Sequence, residues 1–428
     1  MSEHLEVAQA LGVRVATDAV WHQGQCNWVG AWPQESRSGD VEITYRALGP
    51  DLYGGTGGIA LFLGELAVAT GEPMFRSTAL GAARQAIARA DTIDERQPGL
   101  HAGRSGLALA LARTGALLAE EELRAAATRV LVDLRPRRRA TGFDLMSGSA
   151  GAIIGLLTLQ HLLEDGDGVA RAEQFADRLL RTATRRDKHL SWPSETSPAA
   201  AHLTGLSHGA CGAAQALLEL HALTGTQRWC HAAQGAFAYE RDLYDPLARN
   251  WPDLRRSGHA DHGTPGYASF WCHGAPGIAL SRLRAVELLN DAAAREEARI
   301  ALDTTVAAVR SGLDLHANFS LCHGLAGNAE ILLIGQHVLG DERSADAELA
   351  AAVAASGRER YLQSGSWPCG TYEGTTPDLF LGLAGIGRFY LRLHAPSLPS
   401  LLLVTPQAFG HPQHPPARDN ANPLQTHP

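Results

Sequence analysis

Seven times along the chain, a Gly-x-x-Gly step opens a run rich in Ala, Leu and Ile. The copies are YGGTGGIALFLGEL (53–66), HAGRSGLALALART (101–114), MSGSAGAIIGLLTL (146–159), SHGACGAAQALLEL (207–220), CHGAPGIALSRLRA (272–285), CHGLAGNAEILLIG (322–335) and LGLAGIGRFYLRL (381–393). The second glycines, Gly58, Gly106, Gly151, Gly212, Gly277, Gly327 and Gly385, are 48, 45, 61, 65, 50 and 58 residues apart. A period of this size signals one supersecondary unit repeated along the chain. Each glycine pair permits a sharp turn and a close approach. The apolar run that follows is hydrophobic on nearly all sides, which predicts a buried helix. Between these runs lie amphipathic stretches such as RSTALGAARQAIARA (76–90) and ARAEQFADRLLRTATR (170–185), which read as outer helices with one apolar stripe. β-branched alternation is nearly absent. The expected fold is therefore all-α, with seven inner–outer helix pairs stacked as a solenoid or closed into a ring. Closure would bring the seven glycine turns to one mouth.

The residues before each first glycine would then crowd that mouth, and their types are uneven. Units four to six carry Ser207-His208, Cys272-His273 and Cys322-His323. A purely structural repeat has no need of cysteine and histidine there. Cys272, Cys322 and His323 offer two thiolates and an imidazole, a three-ligand zinc set whose open fourth position would mark a catalytic site. The plainer alternative is two buried free thiols beside a packed histidine. His208 suits general acid–base work because imidazole titrates near neutrality; its plainer role is a helix cap. Asp144, in FDLMSGSAG, either orients a histidine or caps the turn into its helix. His273 is a second proton-transfer candidate and His101 a weaker mouth candidate. Cys211, in a slot held by small residues elsewhere, reads as packing.

The totals remove other classes. Among 428 residues the net charge is −8, with no basic face for nucleic acid beyond the run RPRRRA at 135–140, which reads as a solvated loop or helix end. No apolar run approaches the ~18 residues of a membrane span. The N-terminus has no basic-then-apolar signal pattern. The default expectation is a cytoplasmic protein whose six cysteines stay reduced. The segments 185–206 and 244–270 read as long loops, of the kind that carry function. The second contains HADHGTPG (259–266), whose two histidines read as part of a Gly/Pro-rich loop beside the mouth.

The paired motifs WCHGAPG and LCHGLAGN, with SHGACG and the other glycine steps, resemble the lanthionine synthetase C-like family. WCHGAPGIALSRL, SLCHGLAGNAEILL and GLAGIGRFYLRLHAPSLPSLL are most similar to the C-terminal cyclase domain of class II lanthipeptide synthetases, the LanM type. The resemblance runs from about Tyr45 to Leu402. It implies an α/α toroid of seven inner and seven outer helices over residues 46–405. Residues 1–45 would be an N-terminal extension, and 406–428 a disordered Pro-rich tail. The stretch before the first unit is too short for a dehydratase domain, so a free-standing cyclase is expected. The resemblance also implies one zinc ion on Cys272, Cys322 and His323, with His208 as acid–base histidine and Asp144 as its aspartate. His273 stands where some free-standing cyclases have tyrosine, and Ala268 where the class I enzymes are expected to have arginine. The implied reaction adds peptide cysteine thiols to dehydroalanine or dehydrobutyrine, forming lanthionine or methyllanthionine rings. His208 or His273 would protonate the enolate. The implied partners are a dehydrated precursor peptide and a separate dehydratase. Two alternatives stay open: addition of a small thiol such as glutathione to dehydroamino acids, or a non-catalytic zinc toroid that binds a peptide.

Overall fold

The computed structural model describes residues 2–35, 41–132, 134–136, 142–194, 202–255, 266–315, 317–371 and 374–409. The histidine motif at 259–266 and residues 137–140 of the basic run lie almost wholly outside these ranges, as do residues 410–428 of the expected tail.

Each glycine step opens an inner helix: α2 (Thr56–Thr70), α4 (Arg104–Leu118), α6 (Ser149–Leu163), α8 (Ala210–Thr224), α10 (Ala275–Leu289), α12 (Leu325–Leu339) and α14 (Leu383–His394). Most residues of these helices are buried on every side, as in α2 from Thr56 to Ala67 without a break. Six of them are followed by an amphipathic outer helix: α3 (Pro73–Ala88), α5 (Glu121–Leu131), α7 (Gly168–Thr182), α9 (Gln227–Arg241), α11 (Ala292–Asp314) and α13 (Ser344–Tyr361). In α7 the buried positions Arg171, Ala172, Phe175, Ala176 and Leu179 form the one-sided stripe expected of an outer helix.

The seventh outer position is filled from the other end of the chain. Helix α1 (Glu3–Thr17) packs along α14, with Leu5, Val7, Ala8, Leu11 and Val15 buried. The first residues of the chain thus complete the seventh pair, and their role is structural as well as peripheral.

Each inner helix packs on the next, and α14 packs back on α2, so the fold is a closed α/α toroid. Backbone hydrogen bonds close the mouth in the same order. Tyr53 N–H donates to the His101 carbonyl, His101 to Met146, Met146 and Leu145 to Ser207, and Ser207 to Cys272. Trp271 then donates to Cys322, Cys322 to Phe380 and Phe380 to Tyr53. Every acceptor in this circuit stands two residues before its unit's first glycine. The second glycine has a steric cause: a Cβ there would overlap the carbonyl oxygen six residues earlier, in all seven units.

Buried ion pairs tie the ring together. Glu65 in α2 takes both Nε and Nη2 of Arg388 in α14, at 2.8 and 3.1 Å, across the closing seam. Arg282 in α10 reaches Glu240 of α9 at 3.2 Å and Glu297 of α11 at 2.6 Å.

Among the described residues, three two-stranded antiparallel hairpins lie outside the helices: β1 (Val20–His22) with β2 (Gln25–Asn27), β3 (Val29–Glu35) with β4 (Val41–Ala47), and β5 (Thr184–Arg186) with β6 (His189–Ser191). The last corrects the reading of 185–206 as loop. Asp187 adopts φ 51°, which closes the two-residue turn Asp187-Lys188.

The C-terminal segment is the other correction. Leu401 to Val404 are buried, and Pro406–Phe409 form a short helix, α15, packed on α6. The expected disordered tail therefore has ordered residues through Phe409. Polar anchors hold it and the segment that leads to it: Arg284 Nη2 donates to Gln407 Oε1 at 3.2 Å, Trp271 Nε1 to the Leu402 carbonyl at 2.9 Å, Ser400 Oγ to Glu330 at 2.5 Å, and Arg388 Nη2 to the Pro399 carbonyl at 2.7 Å. These partners sit on the inner face of the ring, so the segment fills its centre. Among the described residues, no helix is long and apolar enough to cross a membrane.

Candidate metal and acid–base site

Cys272 and the Cys322-His323 pair are 50 residues apart in sequence and meet at the mouth. Their ligand atoms all fall within 4.8 Å of one another. Register explains the convergence: both cysteines occupy the position two before the first glycine, where the backbone circuit holds them side by side. Both are buried. The Cys322 thiol donates a hydrogen bond to the Cys272 sulfur, and with the charge of His323 this holds Cys272 well below the ordinary thiol range despite burial. Burial, and the negative charge on Cys272, push Cys322 the other way. Two soft sulfurs and an imidazole are a donor set that suits zinc. The edge of Phe270 packs on the His323 ring, centroids 5.1 Å apart, and holds it in place.

Beside this cluster, His208 Nδ1 meets Asp144 Oδ2 at 2.6 Å. Burial pushes the His208 pKa down, but Asp144 and the charge of Cys272 outweigh it and leave the imidazole above its ordinary value. Burial likewise pushes Asp144 up, and is outweighed by His208 and the backbone N–H groups of Ser147 and Gly148, so the carboxyl sits below its usual range. An ionised carboxylate only accepts, so Nδ1 carries its proton and Nε2 is the ring atom left for chemistry. His273 stacks on His208 with centroids 5.9 Å apart. Burial pushes His273 down to about 4, so it is neutral where His208 is charged. Its buried Nε2 has no partner among the described residues.

Asp144 makes the contacts that both alternatives require. Its Oδ1 accepts from the N–H groups of Ser147 and Gly148, each at 2.9 Å, and closes the turn into α6. Asp51 and Asp378 stand at the same offset in units one and seven and accept from Gly54 and Leu381 in the same way. The turn bond belongs to the repeat; the contact with His208 is peculiar to unit three.

His101 is buried against Trp271 and Phe380, with ring centroids 4.9 and 5.0 Å away, and burial holds it neutral at about 4. Cys211 is buried in α8 with its thiol pushed up, which agrees with packing. All six cysteines are free.

Two features escape a reading by motif. Tyr53 stacks on Phe380 at 4.8 Å, and its phenol hydrogen-bonds the Cys322 sulfur. Its offset, the same as that of both cysteines, was the available signal. Arg255 lies outside every repeat turn, yet its charge is felt at His208, His273 and Cys322.

An α/α toroid with a Cys₂His cluster and a His–Asp pair at one mouth defines a class of protein, and similarity to known proteins agrees. The model of the family described as lanthionine synthetase C-like protein matches residues 46–403, and the chain belongs to that family. Among solved structures, nisin cyclase superposes with a TM-score of 0.60 at 18% identity, covering 84% of this chain and 91% of that one. Among curated proteins, the lacticin 481/lactococcin biosynthesis protein LcnDR2 of Lactococcus lactis subsp. lactis is 25% identical over 217 residues. That alignment takes in 47% of this chain and 20% of the relative, so the chain corresponds to only a fraction of the relative's length.

Proposed function

We propose that this protein is a zinc-dependent lanthipeptide cyclase, which adds peptide cysteine thiols to dehydroalanine or dehydrobutyrine. The observation that carries the reading is one mouth holding both the Cys272–Cys322–His323 cluster and the Asp144–His208 pair. Membership of the lanthionine synthetase C-like family supports it. The names of the two similar proteins, a nisin cyclase and a lacticin biosynthesis protein, point the same way.

Cys272, Cys322 and His323 would hold the zinc ion. When bound, it would lower the pKa of an incoming thiol and keep it as thiolate near neutral pH. Attack of that thiolate on the β-carbon forms the S–C bond and sends the alkene electron pair toward the carbonyl. Asp144 keeps His208 charged and fixes its ring. His208 Nε2 then delivers the proton that the α-carbon requires. Neutral His273 lies against the same ring. The substrate is a dehydrated precursor peptide, whose dehydroamino acids a dehydratase activity must supply.

The test uses a synthetic peptide with one dehydroalanine and one cysteine. After incubation with zinc-loaded protein, a cyclised peptide resists thiol alkylation, and we expect that resistance to be lost with His208→Ala. A peptide left alkylatable but carrying added glutathione would favour the small-thiol activity. Neither product, across peptides of different spacing, would leave a binding toroid.

A further inference from the structure

On the cyclase reading, which this inference rests on, a peptide must put its reactive end in the mouth while most of its chain stays outside. The hairpin of β3 and β4 stands at that rim. Its last residue, Ala47, lies six before Tyr53. Its other strand rests on the segment that enters unit seven: Ala31 N–H donates to the Thr375 carbonyl at 3.3 Å, and a Cβ on Gly30 would stand 2.8 Å from Thr376 Oγ1. Thr376 donates in turn to Asp378 at 2.6 Å, and Asp378 closes the turn of unit seven through Leu381 N–H. The hairpin is therefore docked between units seven and one, whose mouth rings Phe380 and Tyr53 stack at 4.8 Å. The Phe380 carbonyl accepts from Cys322 N–H at 2.9 Å.

Register shows which edge of the hairpin is bare. Paired residues on antiparallel strands alternate between bonding each other and turning their N–H and C=O groups away. Leu48 N–H donates to the Trp28 carbonyl at 3.1 Å, which makes Arg46–Gly30 and Thr44–Trp32 the next bonded pairs. Ile43, Tyr45 and Ala47 thus turn their backbone groups outward, as Ala31 does toward Thr375 on the opposite side. Pro33, opposite Ile43, obeys the same parity, since a strand proline belongs where the N–H would face out. Among the described residues, β4 has no strand on its outer side, and these three outward N–H groups have no backbone partner. Such an edge is a template for another strand. The side chains beside it are apolar: on one face of the hairpin Tyr45 is 65% exposed and Val29 57%. At the end nearest the mouth, Val29 and Ala47 join Val20 and Cys26 around a cavity of about 290 Å³, room for an apolar side chain.

We propose that β4 is the docking edge for the precursor peptide, of which an extended, uncharged segment adds as a third strand beside Ile43–Ala47 and seats one apolar side chain in that cavity. Backbone hydrogen bonds supply the contact, and the cavity supplies selectivity. A second copy of the chain suits the edge less well. A contact along Ile43–Ala47 alone is small against the roughly 1,200 Å² of a stable interface. A peptide already held at the mouth needs only a weak second contact.

The test uses zinc-loaded wild type and a short dehydroalanine–cysteine peptide, alone or with an alternating Val–Thr extension at either end. The extension is about eight residues long, enough to span β4. It is also made N-methylated at every Val or at every Thr. An extension at one of the two ends should lower KM about 10-fold and leave kcat nearly unchanged. One N-methyl register should remove that gain and the other keep it, because only alternate amides of an added strand face β4. Tyr45→Pro, which loses an outward N–H and no ladder bond, should bring the KM ratio of short to extended peptide close to one. A gain that survives both N-methyl registers, or no gain at either end, overturns the docking edge, while turnover of the short peptide preserves the cyclase reading. Fluorescence polarisation of the extended peptide, with Ala for dehydroalanine and Ser for cysteine, reads docking without chemistry. Register-dependent binding with no thioether formed on any peptide supports the edge and overturns the cyclase reading. Light scattering covers the second copy: a wild-type dimer that Tyr45→Pro converts to monomer assigns the edge to self-association and overturns the proposal.

Discussion

Asp144 and His208 form a pair in which each oxygen of one carboxylate has its own duty: Oδ2 faces the imidazole at 2.6 Å, and Oδ1 closes a backbone turn through Ser147 and Gly148. The duties can be separated by mutation. Asp144→Asn keeps an oxygen for the turn but removes the charge that holds the His208 pKa up. Burial then pulls that pKa down. If protonated His208 is the acid, kcat should fall about 10- to 100-fold near pH 7.5. The alkaline limb of the pH–rate profile should move to lower pH. An unmoved limb would take the proton donor's role from His208. Asp144→Ala should add a stability loss of about 1–3 kcal/mol from the unpartnered turn N–H groups, read by urea denaturation.

The same pair predicts a stability window. Asp144 is held below its ordinary value, so its contribution is present above about pH 3.9 and is lost as pH falls through the folded pKa. His208 is held above its ordinary value, so its contribution is full below about pH 6.5 and is lost as pH rises through the folded pKa. Both are present together between roughly pH 4 and 6.5. The stability deficit of Asp144→Asn, measured on metal-free protein, should be largest there and should shrink at pH 9. A deficit that grows with pH would contradict the charge assignment.

Metal content tests the cluster directly. Elemental mass spectrometry on purified wild type should find about one zinc per chain, and almost none in Cys322→Ala or His323→Ala. Cys211→Ala, which removes a buried thiol from α8, should keep its metal. Loss of zinc in Cys211→Ala alone would move the site away from the mouth.

How much of this is legible in the sequence depends on the range of the cause. The inner helices and the mouth are legible because one local steric rule, a glycine under a carbonyl, repeats in every unit. That register alone brings Cys272, Cys322, His323 and His208 together. Tyr53 shares the offset, but its bond to Cys322 depends on ring closure between units one and six through Phe380. Helix α1 reads as an extension because no period links residues 3–17 to the unit at 381–393; only the closed ring makes them neighbours. Residues 406–409 are hidden for a similar reason. The segment that leads to them, Pro399 to Leu402, is held by Trp271, Glu330 and Arg388, which come from three different units. Arg255 belongs to a loop, where no periodicity exists to place it.

The closing seam should be a weak point under substitution. Glu65 and Arg388 are buried and face each other between the first and last inner helices. Removing one partner leaves a buried charge unpaired, so Glu65→Ala or Arg388→Ala should cost about 3–5 kcal/mol. The double change Glu65→Leu with Arg388→Met should cost less than either single truncation, because no charge is then stranded. Chemical denaturation of the three variants decides this. A double variant as unstable as the two single losses combined would mean that the pair itself, and not the stranded charge, holds the seam.

At the repeat glycines, fold and site are linked through one atom. A Cβ at Gly327 would overlap the Leu321 carbonyl oxygen, and Leu321 immediately precedes Cys322. The helix α12 and the turn cannot both keep their places. The turn is the softer of the two, because the helix is packed on every side from Leu325 to Leu332. Gly327→Ala should therefore displace Cys322, break the ligand cluster and release zinc, while most helical structure survives. Gly166 is the control: it lies in a surface turn where an added Cβ would meet no atom within 4 Å, and its backbone is not left-handed. Gly166→Ala should keep both zinc and thermal stability. Zinc content and circular dichroism, measured together on the two variants, separate a local loss at the mouth from general unfolding. Full zinc occupancy in Gly327→Ala would show that the turn before Cys322 tolerates the movement and that the second glycine serves packing alone.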